Sequence, residues 1–179
     1  LKGMKIRVPA GTGTDVANAL DVVQVSGAIT EAYEMLSRGI ADGAWLSADS
    51  VNSFQLDSTL KYETIIPGGL FNTAFFVVMN EAKWKSLPPD IQAAIEGVSG
   101  ETFARNAGRI WDDQNRIAHE RFATSGMKTT TLSNDVLAEL KKRLAPVEDQ
   151  WIKQAAEKGV DGRGALDMLR REAAAYRKA

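Results

Sequence analysis

From Met4 onward the chain alternates. Met4, Ile6 and Val8 fall on one side of an extended segment, and Lys5, Arg7 and Pro9 on the other. "GTGTD" breaks the alternation and leads into a helix through "VANAL", with Thr12 or Thr14 as its expected N-cap. A short strand returns at 21–26, "DVVQVS". "TEAYEMLSRG" then brings Ala32, Leu36 and Ile40 near one helix face, with Thr30 as cap and Gly39 near the end. Asp42-Gly43 turns the chain into a third apolar strand, "AWL". Strand, helix, strand, helix, strand predicts a βαβ sheet with helices on its faces.

The spacing predicts a short helix over 47–60, with Val51, Phe54 and Leu56 turned inward. In "YETIIPGGLFNTAFFVVMN", Pro67-Gly68-Gly69 separates two strand-like runs. The second, 74–79, is apolar on both faces, the pattern of a central buried strand. Pro88-Pro89 opens a helical pattern that persists from about 90 to about 123, carried by Ile91, Ile95, Val98, Ile110, Trp111, Ile117 and Phe122. About 34 residues at 1.5 Å rise reach about 50 Å, against roughly 30 Å for a small domain, so the rod is expected to cross two lobes. Gly97, Gly100 and Gly108 lie inside it, each costing about 1 kcal/mol relative to Ala. They read equally as close packing or as a bendable spine. "MKTTTL" reads as a strand, Ser133 caps a helix ending before Pro146, and another runs to Gly159. "GALDMLRREAAAYRKA" is a last amphipathic helix whose basic end suits the negative pole of the helix dipole.

At 179 residues the chain holds one ordinary domain or two small lobes. A net charge of −1 argues against nucleic acid or an anionic membrane as the main partner. No apolar run approaches the roughly 18 residues of a membrane-spanning helix. Zero cysteine excludes disulfides, thiolate zinc sites and cysteine nucleophiles, and fits either side of a bacterial membrane. "LKGMKIRVP" does not read as a signal peptide, and an opening on a strand without an initiator Met suggests a fragment or processed piece.

Catalytic patterns are missing. "GTGTDV" has Val16 where a dinucleotide loop needs its third Gly. His119, the only histidine, sits in "AHERF" without the second His of a zinc motif, and any Ser-His-Asp triad would have to use it. The acidic residues make neither a calcium cage nor a carboxylate pair. No cofactor or metal is expected. What recurs is unusual residues at the carboxyl ends of strands, where α/β sheets place ligands. Arg7 ends the first strand, Trp45 and Leu46 the third, and Phe71, Asn72 and Thr73 follow the Pro-Gly-Gly break. Singly, Arg7 reads as a solvated charge and each aromatic as core packing. Jointly, a guanidinium fork facing aromatic walls forms a seat for a small organic carboxylate.

The same residues carry a resemblance. "LKGMKIRVP", "EAYEMLSRGIADGAWLS", "PGGLFNTAFFVVMN" and "WKSLPPDIQAAIEGVSGE" resemble, in order and spacing, the second half of the solute-binding component of TRAP (tripartite ATP-independent periplasmic) transporters. The likeness runs through essentially the whole chain. It implies a periplasmic, non-enzymatic, two-lobed receptor that closes on an organic acid and delivers it to integral-membrane permease subunits. A long helix would span both lobes. It implies that Arg7, the arginine of the family's "K-[IL]-R-V-P" strand, grips the ligand carboxylate. Leu46, preceded by Trp45, stands where many members carry Asn or another polar residue. Ile29 takes the place of a bulky residue that often touches the ligand, and "SGA" replaces the usual "M-P". These departures turn the expectation from a hydroxylated or dicarboxylate ligand to a monocarboxylate with an apolar or aromatic body. The expected ligand set is Arg7, Ile29, Trp45, Leu46, Phe71, Asn72 and Thr73.

The expected fold is α/β, a periplasmic-binding-protein-like lobe with a mixed or parallel sheet flanked by helices. The family carries over a hundred further residues before this start, so the first lobe is expected to be incomplete. Residues 1–72 would form ligand-binding lobe two, 73–112 the strand and long helix crossing to the first lobe, and 113–179 the return segment and C-terminal helices. Open edges, 75–79 among them, would be covered by a homodimer or by segment exchange. Two other readings remain: an enzyme acting on a small carboxylate, with Asp15, Asp42 or Asp49 as base, and a ligand-free helical interaction module.

Overall fold

The structure, a computed structural model, describes residues 1–176. In chain order it forms β1 (Lys5–Arg7), α1 (Thr12–Ala19), β2 (Val23–Val25), a 3₁₀ turn (Ile29–Glu31) running into α2 (Ala32–Ser37), β3 (Gly43–Ala44) and α3 (Ala48–Ser53). A second 3₁₀ turn (Leu56–Ser58), β4 (Tyr62–Ile65), α4 (Glu81–Lys85), α5 (Pro89–Val98) and α6 (Gly100–Ser125) follow. β5 (Lys128–Thr131), α7 (Asn134–Glu157) and α8 (Gly162–Tyr176) complete it.

β1 lies between β2 and β3, and both pair parallel to it, so Arg7 stands level with Val25 and Ala44. Parallel neighbours require crossovers, which α1 and α2 supply. β4 and β5 form a separate parallel ladder, Tyr62 opposite Lys128. The alternation of β1 places Ile6 and Val8 in one core cluster with Val16, Ala17, Leu20 and Val22, against which Leu140 and Leu144 of α7 pack. Met4 departs from that face and is 40% exposed. A second cluster joins Ala32, Val51, Leu56, Ala118 and Phe122, bringing α6 onto α2 and α3. Arg121 clamps this junction by donating to Asn52 Oδ1 and Asp57 Oδ2, each at 2.6 Å. His119 Nδ1 lies 3.4 Å from Glu63 Oε1, and Glu63 Oε2 accepts from Thr129 Oγ1.

Several local expectations are corrected. Neither Thr12 nor Thr14 caps α1; Gly11 does, at φ 76, a backbone angle that glycine takes cheaply. Thr30 does not cap the second helix, whose entry is a 3₁₀ turn held by Glu31 accepting from the Ala28 N–H. The helical rod is not continuous, because Ser99 is extended and Gly100 takes φ 62, splitting it into α5 and α6. Close packing does not explain Gly97, Gly100 or Gly108: a Cβ at any of them would meet nothing within 4 Å among the described residues. Pro146 sits inside α7 instead of ending it. Only the ladder bond to the carbonyl four residues earlier is lost, and the helix spans the gap. The 74–79 run forms no ladder among the described residues, and Phe76 and Val77 are 81% and 80% exposed. The basic end of the last helix, 177–178, lies outside the described residues.

Candidate ligand-binding site

The three parallel strands end together. The Trp45 N–H donates to the Arg7 carbonyl at 3.0 Å and the Val8 N–H to the Val25 carbonyl at 3.3 Å, so the residues following each strand gather at one edge. Arg7 is the buried charged residue among those described, with 7% of its surface exposed. Its Nε donates to the Gly27 carbonyl at 3.1 Å. Among the described residues no carboxylate reaches ion-pair distance of Arg7, and neither Nη has a protein acceptor. Burial without a counter-ion pushes the guanidinium pKa down from its ordinary value. Arginine starts so high that it stays charged, and the cost of desolvation remains for an incoming anion to offset.

The indole of Trp45 and the phenyl ring of Phe71 lie 6.0 Å apart at 55°, both half-buried against the Ile6/Val8 cluster. Ile29 and Leu46 are half-buried against the other cluster, the one built on Ala32 and Phe122. Trp45 follows the position level with Arg7 and packs with Phe71 on the Ile6/Val8 cluster, while Leu46 follows Trp45 and Ile29 lies two residues beyond Gly27, whose carbonyl holds Arg7. Asn72 and Thr73 are exposed, and their side chains make no hydrogen bond among the described residues. Asp42 serves the turn, its Oδ2 accepting from the Lys5 N–H at 2.8 Å, and Asp15 is exposed on α1. Asp49, in the first turn of α3, donates its N–H to Asn115 Oδ1 at 3.2 Å, while its Oδ1 is buried without a partner among the described residues.

Two residues that bear on Arg7 do not stand out in the sequence: Gly27 accepts from its Nε, and Glu31 holds the next N–H of the same turn. The legible signal was the acid three places after Ala28, the far half of a capping box that lacks its usual Ser or Thr.

The family model for bacterial extracellular solute-binding proteins, family 7, matches residues 1–154. TsaT of Comamonas testosteroni, named an outer membrane transporter protein, is 30% identical over 180 residues, covering 99% of this chain and 52% of that protein. A TRAP periplasmic solute-binding protein from Bordetella bronchiseptica, solved with (R)- and (S)-mandelate, is 31% identical with a TM-score of 0.86, over 96% of this chain and 54% of that one. Another from Rhodoferax ferrireducens T118, in complex with copurified benzoate, is 26% identical with a TM-score of 0.86, over 99% and 56%. The chain spans about half the length of these relatives. With the family match running from the first residue, through the arginine-bearing strand, into α7, this chain belongs to the family 7 solute-binding proteins, the periplasmic receptors of TRAP transporters.

Proposed function

We propose that this chain supplies the carboxylate-gripping half of a receptor that captures an aromatic or apolar monocarboxylate for uptake through TRAP permease subunits. The observation that carries the reading is Arg7: buried, without a counter-ion, and with both Nη atoms unused at the edge where the parallel strands end. A carboxylate offsets the lost hydration of the guanidinium and matches its planar fork with two charge-assisted hydrogen bonds. Trp45 and Phe71 form the wall for the ligand body, Ile29 and Leu46 line the apolar remainder, and Asn72 or Thr73 supplies a hydrogen bond on closure. A second carboxylate would find no second buried cation among the described residues, which favours one acid group. The mandelate and benzoate held by the two relatives are both aromatic monocarboxylates, in line with this reading.

In this reading residues 1–72 are the ligand-binding lobe, 73–112 cross toward the partner lobe, and 113–179 return. Binding is non-enzymatic, so the acid is recovered unaltered. Calorimetry on the two-lobed protein with benzoate, mandelate and succinate tests it. Arg7→Lys keeps the charge and loses the fork, and is expected to weaken benzoate and mandelate by roughly tenfold or more. Unchanged affinity, or preference for succinate, rejects the assignment.

A further inference from the structure

A guanidinium can meet a carboxylate through its two Nη atoms or through Nε and one Nη. At Arg7 the second mode is closed, because Nε already donates to the Gly27 carbonyl at 3.1 Å. That carbonyl belongs to the peptide group joining Gly27 to Ala28. The N–H of the same peptide group donates to Glu31 Oε2 at 2.9 Å. One amide is therefore held at both ends, by a carboxylate on its N–H and by a guanidinium on its oxygen. A carboxylate pulling on the N–H polarises the amide and makes its oxygen the stronger acceptor.

We propose that Glu31 is a positioning residue for the ligand grip, acting on Arg7 through the Gly27–Ala28 peptide; this rests on the reading of Arg7 as the ligand anchor. The arrangement solves a specific problem. A direct Glu–Arg ion pair would occupy the fork and compete with the ligand. Relayed through an amide, the negative charge of Glu31 steadies Arg7 while both Nη atoms stay available. A side chain at position 27 would then press on this arrangement. A Cβ there would collide with the terminal methyl of Met35, approach its Sδ to 3.0 Å, and come within 3.1 Å of Glu31 Oε2. The Met35 side chain occupies the room that glycine leaves, and it would have to shift to admit a Cβ.

The test uses the two-lobed protein, benzoate as probe, and two variants. Glu31→Gln keeps the length and an acceptor for the Ala28 N–H but removes the charge, and Glu31→Ala removes both. Benzoate affinity is expected to fall roughly three- to tenfold in Glu31→Ala and less in Glu31→Gln. In an Arg7→Lys background, where no Nε exists to be oriented, Glu31→Ala is expected to cost less than about twofold further. A loss of equal size in both backgrounds means that Glu31 supports only the local fold, and overturns the proposal, as does no loss in either. Hydrogen exchange of the Arg7 Nε–H, followed in ¹⁵N spectra without ligand, reads the relay independently of binding. Faster exchange in Glu31→Ala supports it, and unchanged exchange overturns it. If the parent protein ignores benzoate while this exchange responds, the ligand assignment fails and the relay stands.

Discussion

At the scale of single residues, the proposed grip assigns charge capture to Arg7 and recognition of the ligand body to Phe71. Its ring meets Trp45 at 6.0 Å and both lean on the Ile6/Val8 cluster. An aromatic contact of this kind is worth about 1 kcal/mol beyond its buried area. Phe71→Ala is therefore expected to weaken benzoate by roughly tenfold while acetate, which needs only the guanidinium, changes by less than about twofold. Titration calorimetry with the two acids checks this, and an equal loss for both would make Phe71 a folding residue. The place of Arg7 was legible, because the alternation of Ile6 and Val8 puts it on the opposite face and the βαβ order puts it at the carboxyl edge. Its burial was not legible. Burial depends on groups outside β1, the Gly27 carbonyl among them, and the spacing of β1 carries nothing about residues distant in the sequence.

At the scale of elements, the break between α5 and α6 shows how periodicity can mislead. Ile91, Ile95, Ile110, Ile117 and Phe122 keep a helical spacing on both sides of Ser99-Gly100, so the rhythm runs through a junction that the backbone does not. The sequence held a second signal at that point, a Ser-Gly pair that can start one helix where another stops. The two readings predict opposite signs for Gly100→Ala. Inside a continuous helix the change would stabilise by about 1 kcal/mol, whereas at φ 62 it is expected to destabilise by about the same amount. Thermal unfolding distinguishes them.

The junction of α7 with α8 gives a pH prediction. Glu148 accepts from Arg170 through both oxygens and from Arg163 Nη1 at 3.2 Å. The hydrogen bonds from Arg170, then the charges of Arg170 and Arg163, hold its carboxyl below the ordinary range. A depressed folded pKa means that the stabilisation is fully present above the unfolded value of about 4.3 and is lost as pH falls through the lower folded value. Both arginines are half exposed, so solvent screening limits the contribution to about 1 kcal/mol. Glu148→Gln is expected to lower Tm at pH 7, with the gap to the parent closing below about pH 4. A gap constant with pH would assign the effect to packing.

At the scale of the whole molecule, the 74–79 segment marks where local pattern and environment part. Its two apolar faces fit a strand enclosed on both sides, yet Phe76, Val77 and Val78 are each more than three-quarters exposed, while Phe75 stacks on Trp111 at 5.0 Å. Burial belongs to the neighbours of a strand, and this chain spans about half the length of its relatives. An extended apolar segment with unpaired backbone groups is a template for pairing with another chain. The 179-residue chain on its own is therefore expected to associate through 74–79, giving a scattering mass near twice 19.4 kDa at micromolar concentration. Val77→Lys places a charge on that segment away from the Phe75–Trp111 stack. It should return the mass to that of one chain and leave the far-ultraviolet dichroism unchanged, since no described helix or ladder depends on residue 77. A parent chain that stays monomeric across a hundredfold range of concentration would show that the exposed segment needs no cover, and association that persists in Val77→Lys would move the contact away from 74–79.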